Sequence, residues 1–456
     1  FLLLTTVICI STDIGGYIFG KIIGGPKLTK LSPNKTYAGM IGSYILAIVT
    51  SFILFKFNFI LVDYSKLILF TLIISTVSQI GDIFISFFKR KSKVKDTGKI
   101  IPGHGGLLDR ADGMIFAFPM SYLIMFTELL KWKKKIAILG STGSIGKNLL
   151  KIIEKDKKNF KIVLLTSNRN YLELYKQAKK FEVKNLIIKD VLSYNKLVKI
   201  NSSNKIKIFN SYESYSKIFK KKIDYAMCSI SGIDGLVPTY NIIKHTKTIA
   251  IANKESIICA WDLLSKEIKK NKTRFIPVDS EHFSIWYAIK NNLSKVDKII
   301  LTASGGPFYK LPLSKFKKIN ISQALNHPNW KMGKKISIDS ATMMNKVFEV
   351  IEAKHIFNQY YKNISILIHP DSYIHALIKF KDGMIKIVGH DTDMKIPIHN
   401  TLYNFEFKNF KSKQININKL NNLKFDQVDE RKFPLIKVID LLPKKNSLFN
   451  TIIVSA

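Results

Sequence analysis

The chain consists of two parts with different hydropathy patterns, and this division restricts its fold more than any other feature of the sequence. The first part contains apolar runs at residues 41–62, 67–88 and 114–130, each close to the roughly 20 residues that a helix needs to cross a bilayer. A fourth apolar run occupies residues 1–10, without an initiator methionine or the charged start of a signal peptide. We therefore predict an all-α transmembrane segment over residues 1–131 and expect that an N-terminal piece precedes it.

The second part, from Lys133 onward, alternates short runs rich in β-branched residues with polar stretches that suit helices. The runs occupy residues 135–139, 161–165, 185–188, 248–251 and 298–302. Strands that alternate with helices are typical of an α/β domain with a largely parallel sheet. The predicted fold class is therefore α/β, preceded by the transmembrane segment.

The strongly basic composition raises the question of a nucleic-acid partner. The chain has 72 basic and 33 acidic side chains, a formal net charge of +39, and basic side chains that neutralise phosphates supply most non-specific affinity for nucleic acids. However, the lysines are spread along the whole chain, and only five of the basic residues are arginines, which form the better fork for phosphates and bases. We predict a solvated lysine-rich surface and no nucleic-acid partner.

The three cysteines predict neither a disulfide framework nor a zinc site. Cys9, Cys228 and Cys259 are odd in number and have no CxxC spacing. We therefore expect the chain to work in a reducing compartment.

Acidic and basic side chains cluster between the last two apolar runs. Asp82 stands near the end of one run, and charged or glycine-rich segments follow at residues 86–90, 95–96 and 102–112. Carboxylates hold divalent cations while Lys and Arg neutralise phosphoryl oxygens, so the cluster suits a Mg²⁺ site that handles phosphates. The alternative is an ordinary basic cytoplasmic loop beside a membrane helix.

This cluster resembles the bacterial phosphatidate cytidylyltransferases, which make CDP-diacylglycerol from CTP and phosphatidic acid. The family signature S-x-F-K-R, K-D, P-G-H-G-G and D-R-x-D is present over residues 86–112, and residues 11–13 and 32–36 are similar to earlier family segments. The resemblance implies that Asp82 and Asp109 are metal-binding carboxylates. It covers only the C-terminal part of such an enzyme.

A glycine-rich turn follows the first strand of the second part. Residues 140–146 read Gly-Ser-Thr-Gly-Ser-Ile-Gly and lead into a helical stretch at residues 147–155. Such glycines let the backbone approach a pyrophosphate, which the N–H groups and dipole of the helix N-terminus stabilise. The next strand ends at residues 166–170, Thr-Ser-Asn-Arg-Asn, and not at an acidic residue. Hydroxyl, amide and guanidinium groups favour the 2′-phosphate of NADP(H) over the ribose hydroxyl of NAD.

Three carboxylates are candidate ligands for a divalent cation. Asp279 and Glu281 follow a probable strand, and continued extended geometry would place them on the same side. Two such carboxylates repel each other unless a cation or a shared proton intervenes. Glu349 shares a helix face with Asn345 and Lys346 by its spacing. Each carboxylate taken alone is more often a surface residue.

Further motifs suit a phosphate and a closing lid. Residues 303–308 form a glycine-rich turn after a strand, and residues 339–342 supply hydroxyl groups ahead of Asn345 and Lys346. Residues 327–333 combine a histidine, a tryptophan and a flexible glycine, as a lid would. A single Trp or His is more often a core or surface residue.

Together these segments resemble the 1-deoxy-D-xylulose 5-phosphate reductoisomerases of non-mevalonate isoprenoid biosynthesis. The resemblance runs from about Lys134 to Ala456 in the family's motif order, and it also includes residues 252–256, 369–372 and His375. It implies a Rossmann-type NADPH-binding domain at residues 133–278 and an α+β catalytic domain at residues 279–456. It further implies that the chain stops before the family's C-terminal helical domain.

The family rearranges 1-deoxy-D-xylulose 5-phosphate and reduces the product with NADPH to 2-C-methyl-D-erythritol 4-phosphate. The resemblance implies that Asp279, Glu281 and Glu349 hold Mg²⁺ or Mn²⁺. The implied catalytic residues are Lys254, Asp279, Glu281, His327 and Glu349. The implied substrate-binding residues are Lys254, Ser280, Ser304, His327, Trp330, Ser340, Asn345, Lys346 and Glu349, of which Ser304, Ser340, Asn345 and Lys346 would anchor the phosphate. The implied NADPH-binding residues are Thr142, Gly143, Ser144, Ile145, Arg169, Asn170, Asn253, Glu255 and Gly333. One departure is Asn168, which stands where the family commonly has glycine.

The implied partners are a phosphosugar substrate, a second copy of the complete chain as a homodimer, and a membrane through residues 1–131. We expect the second part in the cytoplasm and the first in the bacterial inner membrane. Alternative functions are CDP-diacylglycerol synthesis by the first part, a remnant that binds NADPH without chemistry, and an inactive fragment joining two neighbouring genes.

The expected topology sets the two parts in conflict. The basic residues 21–35 and 89–110 should both be cytoplasmic. If residues 114–130 then cross once, Trp132 emerges on the side away from NADPH. Either that segment is re-entrant or the junction joins two neighbouring genes read as one frame, and we favour the second explanation.

Overall fold

The chain forms two compact units, Phe1–Lys133 and Lys134–Ala456, which are described separately. The computed structural model describes residues 2–29, 35–56, 64–92, 94, 108–125, 133–201, 205–290, 292–330, 333–403 and 410–443.

The first unit is helical in its described residues. Its helices are α1 (Leu2–Ile23), α2 (Tyr37–Lys56), α3 (Tyr64–Lys91) and α4 (Leu108–Met125). Three stretches are long and apolar enough to cross a membrane, namely Leu2–Ile23, Tyr37–Lys56 and Lys66–Lys91, so the predicted transmembrane segment is confirmed. The apolar part of α4, Ala111–Ile124, is shorter than these stretches, and the end of the run predicted at residues 114–130 lies outside the described residues.

The first helix is longer than its apolar run. The sequence predicts a run that ends at residue 10, whereas α1 continues past Asp13 to Ile23. Small residues allow this continuation to pack closely on α2, since a Cβ added at Gly42 would lie 2.3 Å from the Cβ of Phe19. The Thr12 hydroxyl also donates to Ser75 at 2.9 Å. Small residues and hydroxyl hydrogen bonds are typical of contacts between membrane helices.

A seven-stranded parallel sheet begins the second unit, with the strand order β4-β3-β2-β1-β5-β6-β7. Its strands are β1 (Lys134–Leu139), β2 (Phe160–Ser167), β3 (Asn185–Ile188), β4 (Lys207–Phe209), β5 (Ile223–Cys228), β6 (Thr246–Ile251) and β7 (Arg274–Pro277). The intervening helices are α5 (Ser144–Lys155), α6 (Tyr171–Lys180), α7 (Val191–Ile200), α8 (Tyr215–Ile218), α9 (Leu236–Ile243) and α10 (Lys254–Lys270). The strand order reverses beside β1, which is where sheets of this type bind ligands.

Apolar side chains on both faces hold this sheet in place. Ile136 and Ile138 of β1 pack on one face with Leu149 of α5, while Ala137 and Leu139 pack on the other face, in the core that includes residues of α9 and α10. A strand covered on both faces is a near-continuous apolar run, which is why the sequence reveals β1 clearly. The predicted α/β fold is confirmed.

A second, mixed sheet of four strands follows, in the order β11-β10-β8-β9. Its strands are β8 (Val296–Ala303), β9 (Ile364–Ile368), β10 (Ile374–Phe380) and β11 (Ile385–Gly389). The helices of this region are α11 (Ser280–Ile289), α12 (Ile321–Leu325), α13 (Lys334–Ala341), α14 (Met344–Phe357), α15 (Lys395–Tyr403), α16 (Ile417–Asn421) and α17 (Val438–Leu441). β8 pairs with β9 in parallel and with β10 antiparallel, an arrangement that fits the predicted α+β region.

Helix α15 packs against the parallel sheet although it follows the mixed sheet in sequence. Ile398 and Leu402 belong to the core that contains Leu149 of α5, and the Tyr403 hydroxyl donates to Asp156 at 2.7 Å. The two sheets therefore share one folded unit.

Candidate active site

The glycine-rich turn after β1 is built for close backbone packing. Gly140 has φ +81°, and a Cβ there would lie 2.8 Å from the carbonyl oxygen of Ser229, just beyond β5. A Cβ at Gly146 would lie 2.6 Å from the Gly140 oxygen. The turn therefore closes tightly over the point where the strand order reverses, and the N-terminus of α5 lies at this point.

Hydroxyl groups at the end of β2 fix the same turn. The Gly140 N–H donates to the Thr166 hydroxyl oxygen at 3.0 Å, and Ser141 N–H donates to the Thr166 carbonyl at 2.9 Å. The hydroxyls of Thr142 and Ser167 are 3.0 Å apart. These contacts position the turn without occupying the exposed N–H groups at the start of α5.

The loop after β2 carries the candidate 2′-phosphate group. The Arg169 side chain is 83% exposed, with its Nε 3.7 Å from Asp190 Oδ1. Asn170 caps α6 by accepting from Glu173 N–H at 3.2 Å, and the Asn168 carbonyl accepts from Asp190 N–H at 3.1 Å. Arg169 thus remains largely open to an anion at the edge of the nucleotide turn.

Asn253 and Glu255, both predicted cofactor contacts, have structural partners. The Asn253 amide donates to the carbonyls of Ile230 at 2.6 Å and Gly232 at 2.8 Å, while its oxygen caps α10 at Ser256. Glu255 Oε1 lies 3.2 Å from Lys335 Nζ of α13. Asn253 therefore fixes the loop after β5, and Glu255 links α10 to α13.

The three predicted metal carboxylates converge. Asp279 precedes α11, Glu281 lies in its first turn and Glu349 projects from α14. One oxygen from each carboxylate lies within 4.8 Å of the others. Their side chains are 23%, 15% and 1% exposed respectively, so the cluster is mostly removed from water but keeps one open side.

Two lysines balance part of this negative charge. Lys346 Nζ donates to Glu281 and to Glu349, each at 2.5 Å. Lys254 Nζ donates to Asn345 Oδ1 at 2.6 Å and lies 3.5 Å from Asp279. The amide of Asn345 in turn donates to Glu349, as their shared helix face predicts.

Burial and charge act in opposite directions on these groups. Burial and the neighbouring Glu281 carboxylate raise the pKa of Glu349 to about 8. Although burial disfavours the charged forms, Lys254 holds the pKa of Asp279 well below its usual value, and Asp279 and Glu349 raise the pKa of Lys254. A divalent cation bound among the three carboxylates would stabilise their charged forms.

The predicted lid residue His327 contacts the glycine-rich turn after β8. Its Nδ1 accepts from the backbone N–H groups of Asn329 at 3.2 Å and Trp330 at 3.0 Å. In the neutral ring the proton is therefore on Nε2, which donates to the Ser304 hydroxyl oxygen at 3.0 Å. Because Ser304 also accepts from Gly306 N–H, its own hydroxyl proton is directed elsewhere. The Asn329 amide binds Pro370 and Ser372, with distances of 2.6 and 2.8 Å.

One pocket gathers most of the predicted residues. From the predicted sets it is lined by Ser144, Ile145, Lys254, Asp279, Ser280, Glu281, Ser304, His327, Trp330, Gly333, Ser340, Asn345, Lys346 and Glu349. The other predicted cofactor residues do not line it, namely Thr142, Gly143, Arg169, Asn170, Asn253 and Glu255. The first four belong to the nucleotide turn and the loop after β2, and the last two have the partners described above.

Several lining residues have no predicted role. Ser372 and His375 line the pocket and belong to a motif that the sequence reveals without indicating its position. Met394, just before α15, also lines it. No local pattern marks Met394, since only the packing of α15 on the parallel sheet brings it there.

The first unit has its own charged cluster. Asp82 of α3 pairs with Lys35, and Lys89 Nζ lies 3.9 Å from Asp112 of α4. The side chain of Asp109 and the residues at 95–107 lie outside the described residues. Two carboxylates and two cations thus lie on α3, near the start of α4 and just before α2.

Comparisons with known proteins identify the family of the second unit. Residues 136–261 match the model of 1-deoxy-D-xylulose 5-phosphate reductoisomerase, and residues 275–357 match that of its C-terminal domain. Over 326 residues the chain is 59% identical to the 1-deoxy-D-xylulose 5-phosphate reductoisomerase of Pelagibacter ubique, covering 71% of this chain and 84% of that protein. The chain belongs to the 1-deoxy-D-xylulose 5-phosphate reductoisomerase family.

Solved reductoisomerase structures agree with this assignment. The enzyme from Zymomonas mobilis in complex with NADPH is 34% identical, with a TM-score of 0.62 over 68% of this chain and 80% of that one. A DOX-P reductoisomerase in complex with NADPH, fosmidomycin and magnesium gives the same identity and TM-score, and covers 68% of this chain and 79% of that one. The resemblance predicted for the second part is confirmed.

The first unit matches a different family. Residues 1–127 match the model of the cytidylyltransferase family, which confirms the resemblance predicted for the first part. In this reductoisomerase-family chain, the segment that matches the cytidylyltransferase family therefore precedes the reductoisomerase unit.

Proposed function

We propose that the second unit converts 1-deoxy-D-xylulose 5-phosphate to 2-C-methyl-D-erythritol 4-phosphate with NADPH and a divalent metal ion. The observation that carries this proposal is a single pocket whose lining includes Ser144 and Ile145 of the nucleotide turn and the carboxylates of Asp279, Glu281 and Glu349. The reaction needs the hydride donor and the carbonyl group of the substrate to lie close together, and this pocket is lined by residues of both predicted sites.

The carboxylates fit a hard divalent cation. Asp279, Glu281 and Glu349 would hold Mg²⁺ or Mn²⁺, because oxygen ligands from several carboxylates are what these ions prefer. Burial and the neighbouring Glu281 carboxylate raise the pKa of Glu349 to about 8, and a bound cation would favour its charged form. When bound, the metal supplies Lewis-acid polarisation of the substrate's carbonyl and adjacent hydroxyl oxygens.

Cationic and hydroxyl groups in the same pocket would hold the substrate. Ser304, Ser340, Asn345 and Lys346 offer donors to a phosphate. Lys254 would donate to the reacting end of the substrate, since its ammonium group lies among Asn345, Asp279 and Glu349. Binding the phosphate at a distance from the reacting carbons would help to hold the closed state.

His327 and Trp330 would exclude water from the reacting centre. The hydrogen bonds that fix the His327 ring tie the lid backbone to Ser304, a predicted phosphate ligand. A lid anchored in this way can close over bound substrate.

NADPH would bind across the nucleotide turn. Thr142, Gly143, Ser144 and Ile145 lie at or next to the N-terminus of α5, where N–H groups and the helix dipole favour a pyrophosphate. The exposed guanidinium of Arg169 is available to the 2′-phosphate.

The test is NADPH oxidation by the full chain in detergent, with 1-deoxy-D-xylulose 5-phosphate and Mn²⁺. We expect turnover by the wild type and a loss of about 10²–10³-fold in Asp279→Asn, the scale of removing one group that stabilises developing charge. The matched control is Asp297→Asn, because the side chain of Asp297 on β8 is 47% exposed and pairs with Lys379, and Asp297 does not line the pocket. Absence of wild-type turnover, or equal activity in Asp279→Asn, would reject the proposed site. NADPH binding without turnover would support a remnant without chemistry.

We also propose that the first unit takes part in cytidylyl transfer to phosphatidate. The family match over residues 1–127 and the grouping of Asp82 and Asp112 with Lys35 and Lys89 support a metal and phosphate site. Turnover of CTP and phosphatidate in membranes that contain the full chain tests this activity, and loss of it in Asp82→Asn is expected.

The proposed location follows from the two activities. The first unit would lie in the bacterial inner membrane, and the second unit would act in the cytoplasm, where NADPH is available. The family resemblance further supports a homodimer, which the mass of the detergent-solubilised chain would test.

A further inference from the structure

His282 is a fully buried histidine beside the carboxylate cluster, with no predicted role. It lies in the first turn of α11, three residues after Asp279, and its ring reaches α14. Its Nδ1 lies 3.5 Å from Asp279 Oδ1 and 3.7 Å from Glu352 Oε2. These three atoms are all buried without another hydrogen-bond partner.

The ring of His282 contacts two elements through its two nitrogens. Its Nε2 lies 2.9 Å from the backbone oxygen of Glu349, and a carbonyl oxygen only accepts, so Nε2–H is the donor. The remaining nitrogen, Nδ1, faces one carboxylate oxygen of Asp279 and one of Glu352.

The ring therefore touches two of the three metal-binding segments at once. Through Nε2 it holds the backbone of Glu349 on α14, and through Nδ1 it faces the carboxylate of Asp279. Glu352, one helical turn after Glu349, closes the arrangement from the same helix. Its side chain is 3% exposed, so its interaction with the ring is little weakened by water.

We propose that His282 and Glu352 are positioning residues that set the separation and orientation of Asp279 and Glu349 for the divalent cation. The inference rests on the proposed function, in which these carboxylates bind the metal. Groups that orient metal ligands in this way raise metal affinity by about 10–100-fold.

Asp279, His282 and Glu352 could also be considered as ligands of a second ion. The lining of the pocket favours the positioning role. Asp279, Glu281 and Glu349 line it, whereas His282 and Glu352 do not.

The experiment measures Mn²⁺ binding to the full chain in detergent by electron paramagnetic resonance, with NADPH affinity measured in parallel. For the Mn²⁺ whose binding is lost in Asp279→Asn, we expect a rise in the dissociation constant of about 10–100-fold in His282→Gln and of about tenfold in Glu352→Gln. NADPH affinity should stay unchanged in both variants.

The matched control is His369→Gln. His369 is also fully buried, but its ring faces the Lys424 carbonyl and stacks on Phe425, away from the carboxylates. We expect this variant to lose stability while it keeps its Mn²⁺ affinity. Glu352→Gln nearly preserves volume, so it carries the test if His282→Gln does not fold.

Unchanged Mn²⁺ affinity in both variants would overturn the positioning role, as would a second Mn²⁺ per chain that disappears in Glu352→Gln. Failure of the proposed function gives a different result. In that case the wild type would bind no Mn²⁺, or Asp279→Asn would bind it as well as the wild type.

Discussion

Single residues show how burial separates functional charges from the lysine-rich surface. Lys254 and Lys346 are almost fully buried, and each is surrounded by carboxylates of the pocket. Removing one partner of a buried ion pair costs about 3–5 kcal/mol because the other charge is left uncompensated. Exposed pairs such as Lys180 with Glu154 contribute little, because water screens their charges. The number of lysines in the chain therefore does not indicate the site, whereas the burial of Lys254 and Lys346 among carboxylates does.

His327 gives a pH prediction at the same scale. Burial and the charge of Lys346 lower its pKa from 6.5 to about 4. Between these values the unfolded chain binds a proton that the folded ring does not, so the contribution of His327 to stability is present above pH 6.5 and is lost as the pH falls towards 4.

We therefore expect His327→Asn to reduce the fall in thermal midpoint of the second unit over that pH range by roughly 2–4 °C. Intrinsic fluorescence of the full chain measured during heating would follow the transition. Parallel midpoint curves for variant and wild type would contradict the neutral state of the ring.

At the scale of elements, turns rather than strands give this fold its site. The turn between β1 and α5 contains the nucleotide motif. The connection from β7 to α11 places Asp279 and Glu281. The start of α14 presents Asn345, Lys346 and Glu349 on one face. A helix that begins beside a strand end delivers its first side chains to the same edge of the sheet, which is where parallel sheets bind ligands.

The nucleotide turn gives a prediction about two glycines. A methyl group at Gly146 would meet the Gly140 oxygen and the Ser141 Cα at 2.6 Å, whereas at Gly143 the nearest atom is 3.4 Å away. We expect Gly146→Ala to lower stability by about 1–3 kcal/mol through overcrowding and to weaken NADPH binding.

Gly143→Ala is the matched control for stability, since Gly143 has φ −76°, which alanine adopts freely. Thermal unfolding and NADPH titration would measure both effects. Equal stability losses in the two variants would show that the loss in Gly146→Ala does not come from the close packing of Gly146 on the turn.

At the scale of the whole molecule, segments distant in sequence complete each compact unit. In the second unit, α15 returns to the parallel sheet, where the hydroxyls of Tyr225 and Thr401 are 2.9 Å apart, and Met394 reaches the pocket as a result. A domain boundary at residue 278 separates the two sheets in sequence. It does not separate them in packing, because α15 follows the mixed sheet and packs on the parallel sheet.

The junction between the two units carries a prediction about the intact cell. The topology argument favours two neighbouring genes over one polypeptide, because an enzyme that uses NADPH needs the cytoplasm. We expect an antibody against the second unit to detect, in native cell extract, a band of that unit's length in the soluble fraction. A band of the combined length in the membrane fraction would contradict the two-gene explanation.

The sequence alone determined the two-part division and the α/β class, and it predicted most of the residues that line the pocket, because these depend on local patterns. Apolar runs of bilayer length, buried parallel strands such as β1 and glycine turns such as residues 140–146 are all short-range features. Strands β4, β5, β9, β10 and β11 and the late helix α15 were not predicted. β5 pairs with β1 and β9 pairs with β8, and these partners lie far away in sequence, so no local pattern indicates the pairing.

The tertiary structure decided which charges meet. Nothing in the spacing of His282 and Glu352 indicates that one ring touches both Asp279 and the backbone of Glu349, or that the Asn253 amide is taken up by backbone carbonyls. The physical reason is that hydrogen bonds and ion pairs between separate elements depend on the packing of those elements. The whole core determines how the elements pack, so a local stretch of sequence does not indicate these contacts.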